Sequence, residues 1–334
     1  MYFDKNEFLT NYNSAVKELD HVDEVLAKLR KKNIKNIFFT GCGGSYTKFV
    51  NLRPLMFKKL PIPFVVTTPE ELCDLYHDDI TNDSLILAGT KTGETTELVE
   101  AIEKIRKDFP KSTIISFIGD ENSTLEKEGL IDERIKSFDT DANLIELGWF
   151  LIHFAQETDN KTNESQKQQL KEMAQNVAEG IEALVPAALD HVNNTDINQM
   201  QMWVGSGNVW GEVCCFANYL MEEIQHIKAQ AINSGEFFHG PFEIIDNNQS
   251  VSAVVNSNSN RQEDMRVVNF VKQFAKNPLI IDMKVFKLDK FDSDLQVFIE
   301  AYALNHYFDT LFNMYSIKTG RSAKTRRYYR LLEY

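Results

Sequence analysis

Short β-rich runs alternate with helical stretches along most of this chain, and that alternation constrains the fold more than any other feature. Residues 95–109, between two such runs, place Leu98, Ile102 and Ile105 on one helical side. Strands separated by helices form βαβ units, which build a parallel sheet covered on both faces. The strands predicted in the first half are 36–40, 64–67, 84–89, 113–118 and a weaker one at 134–138.

The same alternation restarts in the second half, at residues 201–205. Between the halves, residues 156–197 are polar and helix-favouring, and they contain no convincing strand. The two halves therefore repeat one pattern of strand, glycine-rich turn and helix. The later elements are predicted as a helix at 212–226, strands near 251–255 and 278–282, and a long helix near 295–317.

This pattern predicts an α/β fold with two doubly wound parallel-sheet domains in tandem. A length of 334 residues is sufficient for two domains of ordinary size. The predicted boundaries are 1–32 for an N-terminal helix, 33–155 for the first domain, 156–197 for a helical connector, and 198–334 for the second domain with its C-terminal tail.

The composition indicates a soluble globular protein and disfavours two classes of partner. Hydrophobic residues make up 43% of the chain, which is enough for packed cores, and the formal net charge is −13. An acidic surface disfavours sequence-independent binding to nucleic acid and to anionic membranes. The four cysteines show no metal-ligand spacing, and the first residues show no signal-peptide pattern. We therefore expect a cytoplasmic protein.

Two turns rich in small and hydroxyl-bearing residues follow predicted strands of the first domain: GCGGS at 41–45 and TKTGETTE at 90–97. Ligands of an open parallel sheet bind at the carboxyl ends of its strands, where helix N-termini favour an anion. Each turn alone also fits a plain tight turn or a helix cap. Neither matches the P-loop or the dinucleotide fingerprint, which disfavours a kinase or a dehydrogenase. We predict a phosphate site whose candidate residues are Gly43, Gly44, Ser45, Thr90, Lys91, Thr92 and Thr95.

Glu223 is the candidate catalytic base of the second domain. It falls on the helical row of Phe216 and Leu220, at the edge of an apolar stripe, whereas Glu222 falls on a polar row. A carboxylate that borders apolar surface tends to have a raised pKa, which suits proton transfer near neutral pH. Glu223 is therefore a better candidate than Glu222.

His239 follows sixteen residues after Glu223, in the run SGEFFHGPFEIID at 234–246. Gly235 precedes it, and the pair Gly240 and Pro241 follows it, so the sequence predicts a turn at this histidine. A glutamate and a turn histidine that converge can move protons between the carbons and oxygens of a sugar. The alternative is a buried glutamate and a surface histidine that never meet.

Together these motifs resemble the sugar isomerase (SIS) domain family, whose members bind phosphosugars in doubly wound parallel sheets. The chain is similar to two such domains in tandem, as in the isomerase half of glucosamine-6-phosphate synthase. In that enzyme a Glu and a His sixteen residues apart serve as enolisation base and ring-opening group, which is the spacing of Glu223 and His239. The phrases SGEFFHGPFEIID and RRYYRLLEY resemble more specifically the fructosamine-6-phosphate deglycases. The resemblance extends over residues 33–334.

The resemblance implies a deglycase that splits a 6-phosphofructosyl-amine into glucose 6-phosphate and a free amine, without a metal or organic cofactor. The family's second phosphate turn usually reads Ser-x-Ser-Gly-x-Thr, and here Thr90 and Thr92 replace the serines. Lys91 takes the variable place, where it contacts the phosphate, contacts the amino-acid moiety or faces solvent. No amidotransferase domain precedes the first strand, so we expect no supply of ammonia from glutamine.

Two other functions remain open at this point. A phosphosugar aldose–ketose isomerase or an amino-sugar-phosphate deaminase uses the same pair, because the enolisation step is shared. A non-catalytic phosphosugar sensor is the alternative from another class. The stretch before the first strand is short and not basic, which disfavours a DNA-binding module. The presence of both Glu223 and His239 favours an enzyme.

The tail, residues 318–334, is basic and aromatic in an otherwise acidic chain. Its charge predicts docking on an acidic surface or closure over a phosphate, and the alternative is a solvated chain end. In the related enzymes the active site lies between subunits. The resemblance therefore implies a homodimer, or a dimer of dimers, in which His239 completes the partner's site. The side chains that argue against a free tail are Tyr328, Tyr329, Leu331, Leu332 and Tyr334.

Overall fold

The computed structural model describes residues 2–138, 143–155, 160–258, 260–329 and 331–332. They fold into two compact units. The N-terminal unit comprises Asn6–Ala174 and Phe291–Ile299, and the C-terminal unit comprises Met1–Lys5, Gln175–Lys290 and Glu300–Tyr334. Gln156, which begins the predicted connector, and Tyr334 of the tail lie outside the described residues.

The N-terminal unit is built on a five-stranded parallel sheet. The strands pair in the order β2-β1-β3-β4-β5. Every residue of β3 and β4 is buried, as continuous apolar strands require in a sheet with both faces covered. Their bounds are β1 (Asn36–Gly41), β2 (Phe64–Thr67), β3 (Ser84–Thr90), β4 (Thr113–Ile118) and β5 (Glu133–Lys136).

Helices pack on both faces of this sheet. Successive residues of a strand point to opposite faces, so Phe38 and Phe39 of β1 meet different helices. Phe38 shares a core cluster with Ile102, whereas the ring of Phe39 lies 5.4 Å from that of Phe49. The helices are α1 (Lys5–Leu29), α2 (Gly43–Lys59), α3 (Pro69–Leu75), α4 (Thr96–Asp108), α5 (Thr124–Lys127) and α6 (Leu144–Phe154).

The predicted connector is helical. One long helix, α7 (Asn160–Asn194), occupies it. Its residues up to Ala174 belong to the N-terminal unit and those from Gln175 onward to the C-terminal unit. Gly180 of α7 lets this helix approach Phe286 of the C-terminal unit closely. A Cβ at position 180 would lie only 2.3 Å from the ring of Phe286.

The C-terminal unit contains a second parallel sheet, with the strand order β7-β6-β8-β9. Two parallel-sheet α/β units confirm the predicted fold class. None of the described helices is long and apolar enough to cross a membrane. The strands are β6 (Gln201–Gly205), β7 (Ala229–Asn233), β8 (Ser250–Val255) and β9 (Lys276–Asp282). The α-helices are α8 (Trp210–Cys215), α9 (Arg261–Phe274) and α10 (Ser293–Thr319), the last of which belongs to this unit from Glu300 onward.

Two elements of this unit differ from the predictions. Strand β7 was not predicted, because its sequence AQAIN is short and half polar, although it pairs with β6 along its whole length. The helix predicted at 212–226 is α-helical only in α8. It continues as a π-helical segment, Phe216–Ile224, after which the N–H of Gln225 donates to the carbonyl of Leu220 at 3.1 Å. That bond reaches back five residues and changes the angular register of the side chains.

His191 of α7 is a buried titratable group in the C-terminal unit. Its Nδ1 donates to the carbonyl of Asn277 at 3.0 Å, and its ring lies edge-on to Trp203. Burial lowers the pKa of His191 to about 4, with a smaller contribution from Lys318. Burial likewise lowers the pKa of His153 in α6 to about 4. Both histidines therefore stay neutral in the folded protein at neutral pH.

We predict that the free energy of unfolding falls as the pH drops from about 6.5 to about 4. In that range the unfolded chain binds protons that the folded chain excludes, which costs about 3 kcal/mol per histidine at the lower end. His191→Gln should flatten the slope when urea unfolding is measured across this range. Met202→Leu, a buried change that carries no titrating group, should leave the slope unchanged. An unaltered slope in His191→Gln would contradict the assignment.

Candidate active site

The two hydroxyl-rich turns of the N-terminal unit emerge side by side. Strands β1 and β3 pair in parallel, with Gly41 opposite Gly89. A Cβ at position 41 would lie 2.8 Å from the carbonyl oxygen of Gly89, so only glycine permits this approach of the two strand ends. Parallel strands end at the same edge of a sheet, so both turns lie at the edge where the sequence predicts the phosphate site.

The first turn leads from β1 directly into α2. Gly43 has a φ of +57°, a conformation that favours glycine, and α2 begins at this residue. The N-cap residue Cys42 makes no side-chain capping bond, and Ser45 is buried in the first turn of the helix. Backbone N–H groups at such a helix start can bind an anion.

Cys42 does not supply a thiolate at this edge. Burial raises the pKa of its thiol to about 12, and the carboxylates of Glu70 and Glu97 add to the shift. A nucleophile at neutral pH must be the thiolate, so the structure argues against covalent cysteine chemistry here. Glu70 and Glu97 also add negative charge near the turn. An anionic ligand therefore needs the helix N-termini, whose dipoles favour negative charge, to offset this repulsion.

In the second turn, two of the three candidate threonines bond within the turn itself. The hydroxyl of Thr90 accepts from the N–H of Gly93 at 3.0 Å, and that of Thr92 accepts from Glu94 at 3.3 Å. Thr95 is the N-cap residue of α4 and makes no side-chain capping bond. At Thr90 and Thr92, the hydroxyl that is predicted to bind phosphate therefore also stabilises the turn.

Lys91 has an exposed side chain and a fixed backbone. Its carbonyl accepts from the N–H groups of Gly119 and Asp120 at 3.1 and 2.8 Å. The turn is thus tied to the loop after β4, while the ammonium group remains accessible to a ligand or to solvent. The structure is compatible with each of the three positions that the sequence allows for Lys91: at the phosphate, at the amino-acid moiety or in solvent.

Glu223 lies near the end of the π-helical segment in the C-terminal unit. Its side chain is 32% exposed, whereas Glu222 is exposed and accepts from the N–H of Ala229. Glu223 lines a cavity of about 530 Å³. A half-buried carboxylate beside Ile227 in such a cavity can take and return a proton. Segments with π geometry are frequent at functional sites.

An arginine of the tail stands against Glu223. The Nε of Arg326 lies 3.2 Å from Oε1 of Glu223, and its guanidinium lies 5.5 Å from the ring centre of Tyr329. A neighbouring cation favours the ionised carboxylate, opposite to the effect of apolar surroundings. No local pattern in the sequence marks this pair, because more than a hundred residues separate its members.

Next to Glu223, His226 has a strained backbone, with a φ of +51°. Nη2 of Arg327 lies 3.4 Å from its Nδ1, so Nδ1 is the acceptor and Nε2 carries the proton. Burial, and then Arg327 and Arg321, lower the pKa of His226. The ring is therefore a neutral donor in a wall rich in tail arginines.

His239 lies in a turn, as the flanking glycines and proline predict. The N–H of His239 donates to Glu236 at 3.0 Å, Gly240 has a φ of +133°, and a short 3₁₀ helix follows at Pro241–Ile244. The side chain is exposed, and the turn is anchored by the buried ring of Phe237. His239 is not among the described residues that line the cavity at Glu223.

The tail places one arginine against a carboxylate and leaves several apolar side chains exposed. Arg326 contacts Glu223, in line with the docking on an acidic group that the charge of the tail predicts. Tyr328, Leu331 and Leu332 are between 60% and 64% exposed in the single chain. Their packing against a second copy of the chain stays a prediction.

Residues 28–141 match the SIS domain, so both predicted phosphate turns fall inside the match. The chain is 22% identical to the fructosamine deglycase FrlB of Bacillus subtilis (strain 168) over 94% of its own length and 97% of that protein. It is 25% identical to the glutamine–fructose-6-phosphate aminotransferase of Francisella tularensis, over 89% of this chain and 50% of the relative. The resemblance drawn from the motifs is thus confirmed.

A solved Bacillus subtilis structure, provisionally assigned as a phosphosugar isomerase, has the same fold. It superposes with a TM-score of 0.83 at 19% identity, over 96% of this chain and 100% of that one. At this identity the likeness supports the fold alone. The similarity covers both units, in agreement with the tandem arrangement predicted from the two repeats.

We predict that Arg326→Gln loosens residues 325–329 and leaves the fold intact. The ion pair is half exposed, so its loss should change the free energy of unfolding by less than about 1 kcal/mol. Hydrogen exchange measured by mass spectrometry should accelerate in the tail peptide. Lys324→Gln, an exposed neighbour, should leave exchange unchanged. Equal exchange in Arg326→Gln and wild type would show that the pair does not hold the tail.

Proposed function

We propose that this chain, whose residues 28–141 match the SIS domain, is a deglycase of phosphorylated Amadori products. Its substrate is a 6-phosphofructosyl-amine, such as fructoselysine 6-phosphate, and its products are glucose 6-phosphate and a free amine. The observation that carries the proposal is the half-buried carboxylate of Glu223 in its cavity. Similarity to a fructosamine deglycase along nearly the full length of both proteins supports it.

We assign the phosphate to the two turns of the N-terminal unit. The N-termini of α2 and α4 both start there without a side-chain cap, which leaves N–H groups for phosphate oxygens. Ser45 and Thr95 add hydroxyl donors, and Gly43 and Gly44 allow close approach of the ligand. Lys91 provides a cation for the phosphate or for the amine's carboxylate.

The proposed reaction consists of two proton transfers and a hydrolysis. His239 opens the sugar ring by moving a proton between O5 and O2. Glu223 removes a proton from C1, which gives an enaminol, and returns a proton to C2, which gives an imine at C1. Water adds to the imine, and the C–N bond breaks to release the amine and the aldehyde of glucose 6-phosphate.

The phosphosugar isomerase and deaminase alternatives share the enolisation step. These functions and the deglycase differ in the substituent at C1 of the substrate that the cavity beside Glu223 must accept. That cavity is lined by Arg326, Arg327 and Lys228. Guanidinium and ammonium groups suit the carboxylate of an amino acid, which favours a fructosyl-amino acid over fructose 6-phosphate. A sensor remains the outcome if phosphosugars bind without turnover.

We propose a cytoplasmic location as well. All four cysteines, Cys42, Cys73, Cys214 and Cys215, are free thiols. Burial raises the pKa of the Cys214 thiol to about 12, so it is unreactive at neutral pH. Cysteines without disulfide bonds fit a reducing compartment.

Glu223→Gln should lower kcat for fructoselysine 6-phosphate by about 10²–10⁴-fold, because the amide cannot accept the C1 proton. Free lysine is measured by mass spectrometry. Glu222→Gln is the matched control and should retain near wild-type turnover, since Glu222 is exposed and its carboxylate accepts from the backbone N–H of Ala229. Near wild-type turnover of Glu223→Gln would falsify its role. Incubation of the wild type with fructose 6-phosphate tests the isomerase alternative, in which this sugar phosphate would be converted to an aldose phosphate.

A homodimer, or a dimer of dimers, with shared active sites is the proposed assembly. The exposed apolar residues of the tail support it, since Tyr328, Leu331 and Leu332 leave an apolar patch that a second copy can cover. The exposed His239 is also available to a neighbouring subunit.

Mixing Glu223→Gln with His239→Ala should restore activity if His239 completes the partner's site. In a hybrid dimer one site contains both wild-type groups, so exchange of subunits should recover up to about a quarter of wild-type activity. Subunit exchange is verified first by native mass spectrometry with one isotope-labelled variant. If verified hybrids stay inactive, each chain uses its own histidine.

A further inference from the structure

The two sheets of the chain share one layout at their carboxyl ends. In each, the first strand is inside, the second lies on one side and the third on the other. The turn after β1 contains Gly43 with φ +57°, and the turn after β6 contains Gly207 with φ +60°, each two residues beyond the strand. Residues 91–95 separate β3 from α4, and the equally long stretch 256–260 separates β8 from α9.

A buried carboxylate fills this edge in the C-terminal unit. Asp264, the fourth residue of α9, is 1% exposed. The hydroxyls of Ser206 and Ser234 each donate to its Oδ1 at 2.6 Å. The N–H of Asn256 and its side-chain Nδ2 donate to its Oδ2 at 3.0 and 2.8 Å. The carboxylate therefore accepts four hydrogen bonds from the ends of β6, β7 and β8.

The equivalent edge of the N-terminal unit has no such group at that position. The fourth residue of α4 is Val99, a partly buried apolar residue. Hydroxyls and helix N-termini that converge at a strand edge form an anion site. In one unit the turns are open to a ligand's phosphate, and in the other they already hold an anion of the chain.

We propose that Asp264 takes, in the C-terminal unit, the place that the phosphate takes in the N-terminal unit, and that it positions the turn of His239. The first statement means that the chain binds one phosphosugar and not two, despite its repeated fold. The second rests on the proposed function, in which His239 opens the sugar ring.

The path from Asp264 to His239 is short and consists of direct contacts. Ser234, which Asp264 holds by its hydroxyl, begins the turn, and its N–H donates to Gly205 at 3.0 Å. Helix α9 also supports the turn further along. The guanidinium of Arg266 lies 4.8 Å from the ring centre of Phe238, the residue before His239. Phe238 also lies edge-on to Phe270 of α9, at 5.8 Å.

A carboxylate suits this position because it is a fixed acceptor. Ser206, Ser234 and Asn256 all present donors, and charge-assisted bonds to a buried carboxylate are stronger than neutral ones. Removal of the acceptor leaves these donors buried without a partner, which costs more than the bonds contribute. A small external anion should then bind in the vacated place.

The test compares Asp264→Ala with Glu263→Gln, the neighbour that pairs with Arg266 at the surface. Asp264→Ala should melt at a lower temperature and regain stability saturably with formate or acetate, beyond the effect of equal chloride. The wild type and Glu263→Gln should show no such regain. Absence of a formate-specific effect would overturn the internal-anion proposal. This readout does not depend on enzymatic activity, so failure of the proposed function leaves it intact.

The positioning role is tested by Ser234→Ala, which removes one donor and keeps the carboxylate. We expect kcat to fall about tenfold and KM to change less than about threefold, because the phosphate turns are untouched. Faster hydrogen exchange at 235–240 should accompany the loss. Unchanged kcat together with unchanged exchange would overturn the role. Titration of the wild type with glucose 6-phosphate should give one site per chain, and two sites would contradict the proposal.

Discussion

The parallel pairing of β1 with β3 is the interaction on which the candidate site depends. Because the strands run in the same direction, their carboxyl ends and the following helix N-termini meet at one edge. Gly41 and Gly89 bring the two ends within van der Waals distance, where a side chain at Gly41 would separate them. This close approach would let two turns that are distant in sequence act on the single phosphate that we propose for them.

The C-terminal unit uses the same layout for another purpose. Its strand ends converge on the carboxylate of Asp264, which accepts hydrogen bonds from their hydroxyl and N–H groups. These donors are therefore satisfied within the chain, and the edge is fixed. A fixed edge can support a turn that carries an exposed histidine. The repeated fold thus combines an open edge, proposed for binding, with a closed one, proposed for positioning. Duplicated domains can divide a function in this way without a change of topology.

The parts of the fold that follow from local sequence could be predicted. The buried strands β3 and β4 are continuous apolar runs, and glycine marks the turn at Gly43, so the sheet and its binding edge were evident. The short half-polar strand β7 carried no such signal. It forms because the neighbouring strand β6 supplies its hydrogen bonds, which is a tertiary effect.

The candidate site could be proposed residue by residue only where chemistry and local structure coincide. Glu223 and the turn of His239 could be named from spacing, glycine and proline. The π-helical register around Glu223 could not, because the apolar residues of this segment also fit the spacing of an α-helix. The pairing of Arg326 with Glu223 was equally invisible, since contacts between distant segments leave no periodicity in the sequence.

Proton removal from C1 is the central claim, and isotope labelling tests it most directly. The wild-type protein is incubated with 6-phosphofructosyl-lysine that carries two deuterium atoms at C1, and the products are analysed by mass spectrometry and NMR. The account predicts equimolar lysine and glucose 6-phosphate, with one deuterium retained at C1. Fructose 6-phosphate with both deuterium atoms, or no release of lysine, would contradict it.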